Sequence, residues 1–221
     1  MLEIRIASTL LNFKSRFVEM MNQSEISRNE YAELSSVCIR PPQNGVYKKL
    51  SENQPVNAKI VKMKQLFTDN PISQENDLDG IFLTDIEIDT FKLTKADLVF
   101  GRRSLVVEGA GKCSLVGDVG DDVVFESSLL RITLDIEKVI PIWLYSWFQS
   151  DEGKEEMKRI RNVVTIAGIK GSDLKKMRVP VVDIALQNRF AEFVRQADKS
   201  KFAAQRQTKI AKFLYNNING G

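Results

Sequence analysis

The residues in this chain best suited to chemistry are hydrogen-bond donors rather than nucleophiles. Arg102, Arg103 and Ser104 follow an apolar run, and Lys112 closes the stretch Gly109-Ala110-Gly111. A guanidinium offers paired donors to a phosphate or a base edge, whereas an ammonium acts as a point charge. Lys48 and Lys49 beside Asn44-Gly45, and Lys170 flanked by Gly168 and Gly171, form a second set. For each of these side chains an ordinary solvated charge is the alternative reading. Bond-making chemistry is poorly provided for. The chain has no histidine, which removes Ser-His-Asp and Cys-His catalysis and the helical His-Glu-x-x-His zinc site together. Lys112 is not followed by Ser or Thr in a phosphate-cradling glycine loop, and Arg40-Pro41-Pro42-Gln43 lacks the flanking residues of an amino-methyltransferase motif. Cys38 and Cys113 stand alone, so they are expected to be buried small hydrophobes rather than zinc ligands or a disulfide. No carboxylate cluster suggests a metal site.

Composition fits a folded domain with an extension: 221 residues, 43% apolar and 28% charged. No apolar run approaches bilayer length and the first residues lack a signal peptide's organisation, so a cytoplasmic location is expected. The net charge of +3 is unevenly spread. Residues 1–66 carry 10 cations against 6 anions, residues 67–140 carry 7 against 15, and residues 151–221 carry 15 against 8. Basic ends around an acidic middle suit a phosphate backbone, although the same imbalance can be solvated surface.

The elements that must position these donors follow from periodicity and capping. Residues 2–21 are predicted as an amphipathic helix, with Ile6, Leu10, Phe13, Phe17 and Met20 on one stripe. Tyr31 to Ile39 reads as a short helix or irregular segment ended by Pro41-Pro42, with a turn at Asn44-Gly45. Ala58 to Phe67 reads as a half-exposed strand. Thr84 and Glu87 form a capping box that opens a helix toward Phe91. Strands are predicted up to Phe100, over Cys113–Val119 and over Phe125–Leu134, where Leu130, Ile132 and Leu134 alternate with Arg131 and Thr133. Pro141 opens an apolar helix carrying Trp143 and Trp147, a core helix in preference to a base-stacking platform. A charged helix over 154–160, a strand over 163–169, a short helix from Ser172 and a strand ending at Pro180 complete the domain.

From Pro180 the chain runs to Asn219 without Pro or Gly and reads as one long helix. Phe190, Ala197, Ala204, Ala211 and Ile218 form one row at seven-residue spacing, and Leu186, Phe193, Ser200, Gln207 and Leu214 a second. Such a seam calls for a partner helix; a core helix of an ordinary domain is the alternative. Asp183 is placed to cap the helix.

Several stretches resemble the specificity subunits of type I restriction-modification systems. Val179-Pro180-Val181, Gln187 and Phe190-Ala-Glu-Phe-Val194 are similar to the segment that closes a target-recognition domain and opens the family's coiled coil, with Val182 and Asp183 where prolines are common. Leu11–Met20 is similar to the end of the family's central coil, Leu93–Ser104 to its "Leu, Gly-Asp-hydrophobic, Arg" strand with Ala96 in place of glycine, and Ile142–Phe148 to its "Pro, aromatic, Leu" helix. The matches fall in the family's order. The resemblance implies an α+β fold: a mixed-sheet recognition domain with short helices over 23–181, an N-terminal helix over 1–22, and a long coiled-coil helix over 182–221. It implies a non-enzymatic, half-length subunit without a cofactor of its own. Such a subunit reads one part of a bipartite site in double-stranded DNA and directs methyltransferase subunits and, through them, the restriction subunit. Arg102, Arg103, Ser104 and Lys112, then Lys48, Lys49 and Lys170, are the candidate DNA contacts. Leu186, Phe190, Phe193, Ala197, Ala204, Ala211, Leu214 and Ile218 are the candidate contacts for a homodimer or for pairing with another specificity subunit. A stand-alone dimeric DNA-binding regulator and a nuclease are the competing classes.

Overall fold

The computed structural model describes residues 15–22, 31–48, 55–68, 70–74, 76–163, 165–197 and 199. In chain order the elements are helix α1 (15–22), strands β1 (Tyr31–Glu33), β2 (Cys38–Asn44), β3 (Ala58–Val61) and β4 (Asp79–Ile81), helix α2 (Asp85–Phe91), and strands β5 (Asp97–Gly101), β6 (Arg103–Ser104), β7 (Cys113–Leu115), β8 (Val123–Phe125) and β9 (Leu129–Leu134). Then come helices α3 (Pro141–Gln149) and α4 (Asp151–Ile160), strands β10 (Asn162–Val163) and β11 (Ala167–Gly168), helix α5 (Gly171–Lys176), strand β12 (Arg178–Pro180) and helix α6 (184–197).

An antiparallel sheet of order β2-β9-β5-β7 forms the centre, and a mixed sheet β4-β3-β8 stands beside it, with β3 and β8 parallel. The small sheet β10-β11-β6 and the pair β1-β12 complete the strands, so α+β with mixed pairing holds. The central sheet is covered on both faces. Leu98, Phe100, Leu130, Ile132 and Leu134 pack with Trp143, Trp147 and Leu174, while Val99 and Leu129 pack with Val61, Leu66 and Phe125. The alternation in β9 therefore separates two buried faces, and Arg131 and Thr133, expected on the polar side, are inside.

Arg131 is fully enclosed, so its charge must be matched locally. Its guanidinium lies 5.3 Å over the Phe125 ring and donates to the carbonyls of Lys92 (2.9 Å) and Thr90 and to the side chain of Gln43. Those carbonyls end α2, so Arg131 caps that helix from the sheet. Asp97, on the same face, accepts from the Thr94 amide at 2.6 Å and the Thr133 hydroxyl at 2.5 Å.

Several local expectations change, and the strand expected over 163–169 is the antiparallel pair β10 and β11. Ala58 to Phe67 divides at Lys62 into β3 and a 3₁₀ turn, because Leu66 and Gln65 turn inward where a strand would alternate. Residues 31–44 form β1, a 3₁₀ turn and β2, which runs through Pro41-Pro42. The prolines are tolerated because β2 is an edge strand with register shifts on either side of Arg40. Gly45 marks a close approach: a Cβ there would overlap the carbonyls of Phe125 and Glu126. Elsewhere the capping box of α2, Pro141 at the start of α3 and the cap of α6, where Asp183 Oδ1 accepts from Ala185 N at 2.7 Å, form as expected.

The two terminal helices dock on the same core. Phe17 of α1, Trp143 of α3 and Phe190 of α6 form a triad with ring centroids 4.8 to 5.6 Å apart. Phe190 is fully buried there, packed against its own domain. Gln187 is also buried. It accepts from Ile140 N at 2.8 Å and donates to the carbonyls of Lys138 and Val182, pinning the first turn of α6 to the entry of α3. Leu186 packs at the edge of this core, Phe193 takes the Arg16 guanidinium 5.8 Å over its ring, and Ala197 is half-buried. Lys49, Ala204, Ala211, Leu214 and Ile218 lie outside the described residues.

Candidate nucleic-acid interface

The segment from Gly101 to Lys112 is a loop tied shut at its base. Gly101 N donates to the Lys112 carbonyl at 2.9 Å and Gly111 N to the Gly101 carbonyl at 2.7 Å. Gly101 has to be glycine, since a Cβ would overlap the carbonyl oxygen of Gly109. Closing the base forces the middle of the loop outward. Leu105 is 90% exposed and Val106 55%.

One side of this loop is a strand. Arg103 and Ser104 pair with Gly168 and Ala167 of β11, and the Arg102 carbonyl accepts from Ile169 N at 3.0 Å. Two basic stretches more than sixty residues apart thus meet: Arg102, Arg103 and Ser104 from one, Lys170 from the other. The four play different parts. Arg102 is half-buried and donates to the Ser127 carbonyl at 3.0 Å, and burial followed by the charge of Arg103 lowers its pKa. It braces the β6 turn against the turn between β8 and β9. Arg103 and Lys170 are exposed, with no ion-pair partner among the described residues. Ser104 is buried and its hydroxyl accepts from Val106 N at 3.2 Å, shaping the loop.

Lys112 sits 5.1 Å over the Phe67 ring, whose face is partly exposed beside the loop. Lys48 is on another element: it pairs with Glu87 of α2 at 3.1 Å and lies over Phe82, which leaves it poorly placed to join the β6 group. The exposed Leu105, Val106 and Ile166 beside the donors were not anticipated, because apolar residues in a short loop read as core.

What this surface can do is donate hydrogen bonds and offer apolar contact. Cys38 is pushed up to about 12 by burial and Cys113 is raised by burial, so neither thiol supplies a thiolate. Among the described residues no group of three or more His, Cys, Asp or Glu is placed to hold a metal, and no helix is long and apolar enough to cross a membrane. A concavity of about 1260 Å³ lies between α4, α5 and β12, lined by Arg159, Arg161, Lys176 and Arg178 together with Glu152 and Glu156, and Arg159 is paired with Glu156.

No family model and no curated protein matches the sequence. Solved structures do match the fold. The HsdS subunit from Thermoanaerobacter tengcongensis superposes with a TM-score of 0.56 at 14% identity, over 91% of this chain and 46% of that one. A chain from a structure concerned with complex assembly and conformational transition of the type I restriction-modification system gives 0.58 at 13% identity, over 98% of this chain and 52% of that one. The chain spans about half the length of the solved chains it matches. At this identity the likeness is one of fold, and it agrees with the resemblance carried by Leu93–Ser104, Gln187 and Phe190. The chain has the fold of the HsdS specificity subunits of type I restriction-modification systems.

Proposed function

We propose that this chain is the DNA sequence-specificity subunit of a type I restriction-modification system. It reads one part of a bipartite target and directs partner methyltransferase subunits, and through them a restriction subunit. The observation that carries this reading is the fold likeness over 98% of the chain; the exposed donors of β6 and β11 are compatible with it and supply the contacts. Arg103 and Lys170 meet the DNA, Arg102 and Ser104 hold the loop that presents them, and Lys112 lies at its base. Chemistry belongs to the partners, and this chain needs no cofactor. The likeness favours this reading over a stand-alone regulator.

Residues 23–181 are the unit of recognition. Two such chains, or this chain and another specificity subunit, pair through the helix that begins at residue 184, by Leu186, Phe193 and Ala197 and by Ala204, Ala211, Leu214 and Ile218, which lie outside the described residues. That pairing supplies the second recognition unit of a bipartite site. The test is an exchange of residues 23–181 for another recognition domain that carries an aromatic where Trp143 stands, so that Phe17 and Phe190 keep their packing partner. In a strain where this is the sole specificity subunit, the methylated DNA motif should change. An unchanged methylome sinks the proposal.

A further inference from the structure

We propose that the β6–β11 edge reads thymine through an apolar ridge, in which Leu105, Val106 and Ile166 press on the C5-methyl groups of a DNA groove while Arg103 and Lys170, toward the other end of the same strand pair, hold the backbone. The proposal rests on the reading of the chain as a DNA-recognising subunit and names the chemistry by which it selects sequence.

The ridge is built by the pairing already described. From Ser104 the chain enters Leu105, and from Ala167 it runs back to Ile166, so the two meet at one end of the small sheet. Leu105 is 90%, Val106 55% and Ile166 51% exposed, and Val163, paired with Ala167 on the outer strand, is 54% exposed. Apolar side chains held this far into water by a tied loop represent a cost that folding does not recover, which a binding partner can. The surrounding charge selects the partner. Residues 101–112 carry Arg102, Arg103 and Lys112 against Glu108, and residues 161–172 carry Arg161 and Lys170 and no acid. Five cations against one anion leave these 24 residues at +4, when the whole chain is only +3. A polyanion that also presents small apolar groups fits this surface, and duplex DNA does so through the thymine methyl, the one apolar group on a base edge in the major groove. The positive charge argues against a second copy of the chain on the same face.

The ridge is exposed, so polar substitution leaves the fold intact, checked by the melting temperature of each variant. The probe is a duplex pool enriched by repeated selection on the wild-type chain and amplified once with thymine and once with uracil, which lacks only the methyl. Wild type should bind the thymine pool more tightly, by about fourfold for each methyl withdrawn from water. Leu105→Gln with Ile166→Gln should lose that preference and keep the salt dependence. Arg103→Ala with Lys170→Ala should keep the preference and show a salt slope shallower by roughly two phosphate contacts. Equal binding of both pools by wild type, or an unchanged preference in the apolar variant, overturns the ridge alone. Binding of neither pool at low salt overturns the DNA-recognition reading with it. An apolar variant that binds both pools like wild type but no longer assembles with methyltransferase subunits assigns the ridge to a protein partner, and also overturns the proposal.

Discussion

Cutting Phe190 to alanine should destabilise the single domain rather than separate two chains. The ring is fully buried, edge-on to Phe17 at 5.4 Å and to Trp143 at 5.6 Å. Truncating a buried Phe costs about 3–5 kcal/mol, from lost transfer energy and the cavity left behind. Two aromatic contacts place Phe190→Ala in the upper part of that range, about 4 kcal/mol. For a domain of this size that is a fall of roughly 10 °C in melting temperature. Phe193→Ala is the contrast: the ring is half-buried and lies under the Arg16 guanidinium, so about 1–2 kcal/mol is expected. Thermal unfolding and light scattering on the same samples decide the matter. An intramolecular Phe190 predicts a lower melting temperature with unchanged oligomeric mass for Phe190→Ala. If the variant instead melts within about 2 °C of wild type while its mass halves, Phe190 lies between chains and the packing described for α6 is wrong.

Asp97 predicts a dependence on pH. Burial raises its pKa, against the opposing effects of the Thr133 hydroxyl and the Arg131 charge. The folded state then holds the proton more tightly than the unfolded chain. Its contribution to stability is fully present below the unfolded carboxylate range near about pH 4 and is lost as pH rises through the raised folded value. The stability of wild type minus that of Asp97→Asn, from urea midpoints between pH 4 and 7, should fall as pH rises; a constant difference would contradict the burial. Gly101→Ala should cost about 1–3 kcal/mol in the same urea assay, because the new Cβ meets the Gly109 carbonyl and must open the base of the loop. A neutral substitution would show that the loop is not tied there.

The sequence by itself determined those features whose partners lie within a turn or two. Thr84 and Glu87 satisfy each other across three residues, Pro141 supplies its own backbone angle, and Asp183 caps amides two residues on. Each formed where its spacing placed it. The donors Arg102, Arg103 and Lys170 were also legible, as residue types next to strands and glycines. What they do was decided by tertiary pairing: β11 arrives from more than sixty residues away, drawing Arg103 and Lys170 to one surface, while the Ser127 carbonyl turns Arg102 into a brace. The same holds for β9. Its alternation of Leu130, Ile132 and Leu134 with Arg131 and Thr133 is also what a half-exposed strand would show, and only the second layer formed by Val61, Leu66 and Phe125 encloses the polar side. Phe190 keeps the seven-residue spacing of a seam in either case. Whether its ring meets a second chain or its own domain depends on what stands opposite, and Trp143 and Phe17 stand there because α1 and α3 are brought over the central sheet by contacts that no local periodicity encodes.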